Sequence, residues 1–91
     1  MESKIPNFDA MTHDELMNFW SRYHRPTRKD AEELLGGKRK GYTNIVATLA
    51  NYACNKAVAI SCRLRGDIQA AMIYEGACEL SYDRLPKDLH W

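Results

Sequence analysis

The residue types that catalyse reactions occur in this sequence without the spacing that catalysis requires. His13, Asp14 and Glu15 could transfer protons, but consecutive residues on a helix do not face one another. His24 and His90 have no recognisable partner, and no histidine or cysteine has metal-ligand spacing. The sequence therefore predicts a protein that is not an enzyme, with no catalytic residue, no metal and no cofactor.

The segment from Gly36 to Thr43 matches the sequence pattern of a phosphate-binding loop only in part. Such a loop follows a strand and places lysine directly after its last glycine, where this chain has Tyr42. We therefore reject nucleotide hydrolysis. Lys38, Arg39 and Lys40 nevertheless precede a predicted helix, whose N-terminal N–H groups favour anions. The segment is either an anion site or a solvated linker.

A larger group of cations supports a second hypothesis, a nucleic-acid interface. Its members are Arg25, Arg28, Lys29, Lys38, Arg39 and Lys40. They belong to a basic middle, residues 22–65, between acidic ends at residues 1–21 and 66–91. The middle can contact phosphates, or the ends can neutralise it within the fold or across a dimer contact. The overall pI of about 7.7 is low for a nucleic-acid-binding domain.

Uncharged polar residues form a stripe at helical spacing in the longest predicted helix. The stripe consists of Asn44, Thr48, Asn51 and Asn55. Exposed helix faces usually carry Glu, Lys or Arg, which have better helix propensity. The stripe therefore indicates either a face that is partly covered by a protein partner or a plain solvent face. The favoured function is a small non-enzymatic protein-interaction module, an adaptor or modulator, with self-association as a homodimer included.

Four helices must position these residues, because no segment shows useful strand alternation. Helix 1 is predicted over about 13–24, helix 2 over about 28–35, helix 3 over about 44–65 and helix 4 over about 67–84, each from its caps and breakers. The connection around Gly66 is so short that helices 3 and 4 must form an antiparallel hairpin. We expect an all-α, compact four-helix bundle centred on this hairpin, with residues 1–91 as a single domain.

The hydrophobic period predicts which side of each hairpin helix is buried. In helix 3 this side comprises Val46, Leu49, Ala50, Ala53, Ala57, Ile60 and Leu64. In helix 4 it comprises Ala70, Ile73, Tyr74, Ala77, Leu80 and Ser81. Residues 1–10 are expected to form an irregular lead-in, and Thr43 is expected to cap helix 3.

Length and composition are those of a small globular protein. The chain has 91 residues, of which 45% are hydrophobic, and it lacks an apolar run long enough to span a membrane. A domain of this length has a radius of gyration of about 12 Å. Residues 1–10 lack an apolar h-region, so we expect no signal peptide there. The odd set of cysteines, Cys54, Cys62 and Cys78, fits a reducing compartment, so a cytoplasmic location is expected.

The segment from about residue 50 to 85 resembles a tetratricopeptide-type helical hairpin. Ala70, Tyr74 and Ala77 match that family's Ala-x3-aromatic-x2-Ala pattern, and Gly66-Asp67 match the turn that precedes it. The resemblance implies a helical surface suited to a peptide or protein partner.

The whole chain is also similar to small helical proteins encoded in tailed-phage genomes. The similarity is carried by Lys40-Gly41-Tyr42, Asn55-Lys56, Tyr74-Glu75 and Leu85-Pro86. It implies a phage origin and a location in the host cytoplasm, and it implies no particular function.

Overall fold

The computed structural model describes residues 3–91, and within that range it contains helices and no strand. The helices are α1 (His13–Tyr23), α2 (Arg28–Leu35), α3 (Tyr42–Leu64) and α4 (Ile68–Arg84). Short 3-10 turns lie at Phe8–Ala10 and Lys87–Leu89. The predicted all-α class and the four helices are confirmed, and α3 and α4 begin and end within two residues of their expected bounds.

Side-chain caps determine where three of the helices begin. The Thr12 hydroxyl accepts the N–H of Glu15 at 3.2 Å, and the Glu15 carboxylate accepts the N–H of Thr12 at 2.9 Å. This reciprocal pair satisfies two N–H groups that the helix itself leaves without partners. Thr27 and Asp67 cap α2 and α4 by accepting the N–H three residues further on.

The start of α3 differs from the expectation. Thr43 was expected to cap it, but the helix begins at Tyr42 behind Gly41, whose φ of 71° lies in the left-handed region. No side chain of residues 3–91 caps this end. Glycine adopts such a φ without steric cost, so backbone conformation replaces the hydroxyl cap.

Helix α3 is the central element, and α1, α2 and α4 each pack against it. Gly66, with a φ of 81°, reverses the chain between α3 and α4 and makes them the predicted antiparallel hairpin. Among residues 3–91, α4 packs extensively on α3 alone, so no helix in that range covers the side of α4 that faces away from α3.

Aromatic side chains from distant parts of the chain close the core. Phe8 is completely buried, and its ring centroid lies 4.8 Å from those of both Phe19 and Trp91. The Tyr82 hydroxyl donates to the backbone oxygen of Trp91 at 2.8 Å. Phe8 of the lead-in and Trp91 of the C-terminal tail therefore belong to the folded core, although neither lies in an α-helix. Residues 1 and 2 of the predicted lead-in lie outside the described part of the chain.

The prediction of which residues of the hairpin are buried is partly wrong. Leu64 is 84% exposed, whereas the rest of the predicted α3 face is buried or half-buried. On α4 the prediction fails more widely, since Ile73, Tyr74 and Leu80 are exposed and the buried residues are Ala71 and Cys78. Apolar residues occur on every side of α4, so the hydrophobic periodicity of its sequence does not predict which face is buried. The small side chains of Ala71 and Cys78 face α3.

The molecule is longer than an average domain of its size. Its radius of gyration is 13.2 Å and its principal extents are 42 × 23 × 20 Å. Helix α3 alone measures about 35 Å at about 1.5 Å per residue. The hairpin therefore sets the long axis, and residues 63–69, around the turn at Gly66, are exposed.

Candidate functional site

The outer face of α4 is the most unusual surface of the molecule. We define it by Gln69, Met72, Ile73, Gly76, Leu80 and Asp83. At about 100° per residue these positions fall within one arc of about 100°, on the opposite side of α4 from Ala71 and Cys78. Met72, Ile73 and Leu80 are 61%, 71% and 60% exposed. Scattered exposed apolar residues are common, whereas several on one face of a helix make that face a candidate interaction surface.

Gly76 makes a notch at the centre of this face. A Cβ added there would meet nothing within 4 Å, so no neighbouring side chain in the described structure requires a glycine. Glycine in the interior of a helix costs about 1 kcal/mol relative to alanine. The notch lets another backbone approach α4 closely, between Met72 on one side and Leu80 on the other.

The polar stripe predicted as the protein contact lies on α3 and is not uniformly exposed. Asn44 and Asn51 are exposed, whereas Thr48 and Asn55 are half-buried. The Thr48 hydroxyl donates to the backbone carbonyl of Asn44 at 2.9 Å, so it serves its own helix. Two exposed amides, Asn44 and Asn51, are the part of the stripe that is most open to a partner.

The predicted cations do not all remain accessible. Arg39 donates twice to the Asp88 carboxylate, at 3.0 and 3.2 Å, and this guanidinium lowers the pKa of Asp88. The other predicted cations are exposed, with Arg25, Arg28 and Lys29 at the start of α2 and Lys38 and Lys40 beyond its end. They form two groups separated by the length of α2, about 12 Å at about 1.5 Å per residue.

Ion pairs join the basic middle of the chain to its acidic ends. The pairs that connect distant residues are Arg39–Asp88, Lys56–Asp9 and Arg63–Glu75. Each takes its cation from residues 22–65 and its carboxylate from one of the two ends. Of the two interpretations of the charge pattern, neutralisation within the fold accounts for these three cations.

A cleft of about 460 Å³ lies between α3 and α4, beside the Phe8–Ala10 turn. Asp9 stands at its edge and accepts hydrogen bonds from the Tyr52 hydroxyl at 3.0 Å and the Trp91 indole at 3.3 Å. The Lys56 ammonium lies 3.0 Å from the same carboxylate. Burial alone would raise the pKa of Asp9, but the hydrogen bonds from Lys56, Tyr52 and Trp91 outweigh it and lower that pKa.

Two of the titratable groups that line this cleft, Cys78 and Tyr52, have raised pKa values. Burial raises the pKa of the Cys78 thiol to about 11, and the thiol donates to the Tyr52 carbonyl at 3.6 Å. Burial, followed by the Asp9 carboxylate, also raises the pKa of Tyr52. A protonated thiol is a poor nucleophile. The Cys78 thiol is therefore not activated as a nucleophile, and it takes part in a hydrogen bond to the backbone of α3.

Two further classes of site were sought within residues 3–91. No group of three or more His, Cys, Asp or Glu side chains there could hold a metal ion. In the same range, no helix combines the length and the apolar character needed to cross a bilayer.

Comparisons with known proteins found no matching family model, no matching curated protein and no matching solved structure. The resemblances to a tetratricopeptide hairpin and to small tailed-phage proteins therefore stay predictions. The functional argument depends on the surfaces described above.

Sequence reasoning missed the outer face of α4 because it assigned Ile73 and Leu80 to the core. One signal pointed to it. Gly76 lies in the interior of a predicted helix, between Met72 and Leu80 at i−4 and i+4. A glycine at that place is expected where a backbone approaches closely.

Proposed function

We propose that this protein is a small non-enzymatic interaction module, an adaptor or modulator, whose contact surface is the outer face of α4. The observation that supports the proposal is the exposure of Met72, Ile73 and Leu80 around the notch at Gly76. These residues form one surface on one rigid helix. Interface cores favour such apolar anchors over charged side chains.

The exposed apolar side chains of this face can supply part of the free energy of a contact. Fully burying one large aliphatic side chain contributes about 1.5–3 kcal/mol, so the exposed fractions of Met72, Ile73 and Leu80 together represent about 3–6 kcal/mol. The face belongs to a helix that is already folded, so little ordering entropy is lost on binding. The exposed amides Asn44 and Asn51 of α3 offer a second, polar surface.

A site-specific photo-crosslinker tests this proposal. Benzoylphenylalanine replaces Met72 in the full chain, and the matched control places it at Ser21, an exposed position on α1. We expect illumination in the cells that naturally contain the protein to attach a protein to position 72 and not to position 21. If adduct formation at position 72 does not exceed that at position 21, the proposal is wrong.

A nucleic-acid-binding module is the second candidate function. The observation in its favour is that Arg25, Arg28, Lys29, Lys38 and Lys40 are exposed, which suits phosphate contacts. The ion pair between Arg39 and Asp88 weakens this candidate, because it removes the central cation of the loop.

A cytoplasmic location, in the host cell if the phage resemblance holds, is part of the same proposal. The supporting observation is that Cys54, Cys62 and Cys78 are all free thiols. Free thiols are usual in reducing compartments.

A further inference from the structure

We infer that the partner of the outer face is a basic segment of another protein, which inserts a lysine or arginine side chain into the cleft between α3 and α4. The inference rests on the proposed function, because it states the chemistry of the partner that covers that surface. Its support is the charge of the residues that line the cleft, together with their position beside the outer face.

The cleft carries more negative charge than the cations around it neutralise. Its lining includes the ammonium group of Lys56 and the carboxylates of Asp9, Glu75, Glu79 and Asp83. Lys56 pairs with Asp9, and Glu75 pairs with Arg63 of α3. Within residues 3–91, Glu79 and Asp83 form no ion pair. A cleft lined mostly by one sign of charge attracts ions of the opposite sign, so these two carboxylates favour a cation from outside.

The carboxylates of α4 follow one another along the cleft. Glu75, Glu79 and Asp83 are spaced four residues apart, so consecutive members are neighbours on the helix surface. Like charges at this spacing destabilise a helix. Both Glu79 and Asp83 are exposed, so a cation can reach the space between them and relieve their repulsion.

This row of carboxylates joins the cleft to the outer face. Asp83 belongs to both, and Glu79 lies only about 20° around the helix from Met72, at about 100° per residue. The opposite edge of the outer face, beyond Ile73, carries the exposed Arg84. A partner on the outer face is therefore favoured when its cations lie on the cleft side and disfavoured when they lie on the Arg84 side.

The cleft has the size and the lining that a long cationic side chain requires. Its volume of about 460 Å³ falls within the range of about 300–1,000 Å³ that is typical of ligand pockets. Ala59 and Ile60 of α3 contribute apolar surface to the lining. Lysine and arginine lay their methylene stems along apolar surface and keep the charged end in polar surroundings. The α3 side of the cleft therefore suits the stem, and Glu79 and Asp83 suit the ammonium or guanidinium group.

Peptide titrations of the isotope-labelled full chain, followed by nuclear magnetic resonance, test the chemistry of the partner. The probe is an amphipathic peptide of leucine and lysine, and the matched control is the same peptide with every lysine acetylated, which removes the charge and keeps the stem. We expect the lysine peptide to shift the amide resonances of residues 72–83 of α4 and 56–60 of α3. It should bind about two- to thirtyfold more tightly than the acetylated peptide, the range that two exposed ion pairs provide.

A pair of double variants tests the site. Glu79→Gln/Asp83→Asn removes the two carboxylates and should weaken binding of the lysine peptide by the same factor of about two to thirty. Asp14→Asn/Glu33→Gln is the matched control, because it removes two exposed carboxylates from α1 and α2 and changes the net charge equally. We expect the control to bind the lysine peptide within about twofold of wild type, since surface charges at a distance are largely screened.

Failure of this inference can be told apart from failure of the proposed function. The inference is overturned if the lysine peptide shifts none of these resonances at up to about 1 mM, or if the acetylated peptide binds as tightly. It is also overturned if Glu79→Gln/Asp83→Asn binds as tightly as the control variant. A photo-adduct at position 72 would then leave the interaction function standing with a partner of other chemistry. Adduct formation at position 72 no greater than at position 21 would remove both proposals.

Discussion

Replacement of Phe8 by alanine should destabilise the protein severely, although Phe8 lies in a segment that the sequence presents as an irregular lead-in. Its side chain is 0% exposed, and its ring contacts those of Phe19, Tyr52 and Trp91. Truncating a buried phenylalanine costs about 3–5 kcal/mol, from the lost transfer free energy and the cavity. A chain of this length has a total stability of only about 5–14 kcal/mol.

Urea unfolding followed by circular dichroism measures this effect. We expect Phe8→Ala to lower the free energy of unfolding by about 3–5 kcal/mol, and to lower the Tm by at least about 12 °C at about 4–8 °C per kcal/mol. Leu64→Ala is the matched control, because Leu64 is 84% exposed and its truncation should change stability by no more than about 0.5 kcal/mol. If Phe8→Ala costs less than about 1 kcal/mol, as a surface change does, the docking of the lead-in would be refuted.

Three other changes test the core, the ion pairs and the alternative function. Ala57→Leu adds volume at a position with 0% exposure and should cost about 1–3 kcal/mol in urea unfolding; an unchanged midpoint would contradict the facing of α3. Asp9 has a lowered folded-state pKa, so its contribution is present above the ordinary aspartate pKa of about 3.9 and is lost as the pH falls through the folded value. Stability should therefore fall on acidification, and Asp9→Asn should show a shallower fall; equal slopes would be evidence against the Asp9 contacts. If the protein binds nucleic acid, its affinity for labelled DNA or RNA should fall by orders of magnitude between about 50 and 200 mM salt, and the Lys38→Ala/Lys40→Ala double variant should weaken it. Absence of binding at low salt would remove that alternative.

Local chemistry explains why the helices could be predicted from the sequence. The capping box at Thr12, the cap at Asp67 and the left-handed Gly66 each act on backbone groups within a few residues. Short-range interactions of this kind do not depend on the rest of the fold. The antiparallel hairpin follows for the same reason, since a short turn leaves the two helices no other arrangement.

The candidate site could not be predicted in the same way, because its exposure depends on what lies around α4. Ile73 and Leu80 are as apolar as core residues, and α4 has further apolar residues on its other sides. Which side is buried depends on how closely Ala71 and Cys78 allow α4 to approach α3. Only the packed structure reveals that no other helix in the described part of the chain covers the remaining side.

The sequence by itself determined an all-α chain of four helices, an antiparallel hairpin, and a basic middle between acidic ends. The tertiary structure decided that Phe8 and Trp91 meet in the core, that Arg39 pairs with Asp88, and that the outer face of α4 stays open. The physical reason is the separation along the chain over which each kind of interaction acts. Caps and turns act over a few residues, whereas burial and ion pairing depend on groups that are far apart in the chain and come together only on folding.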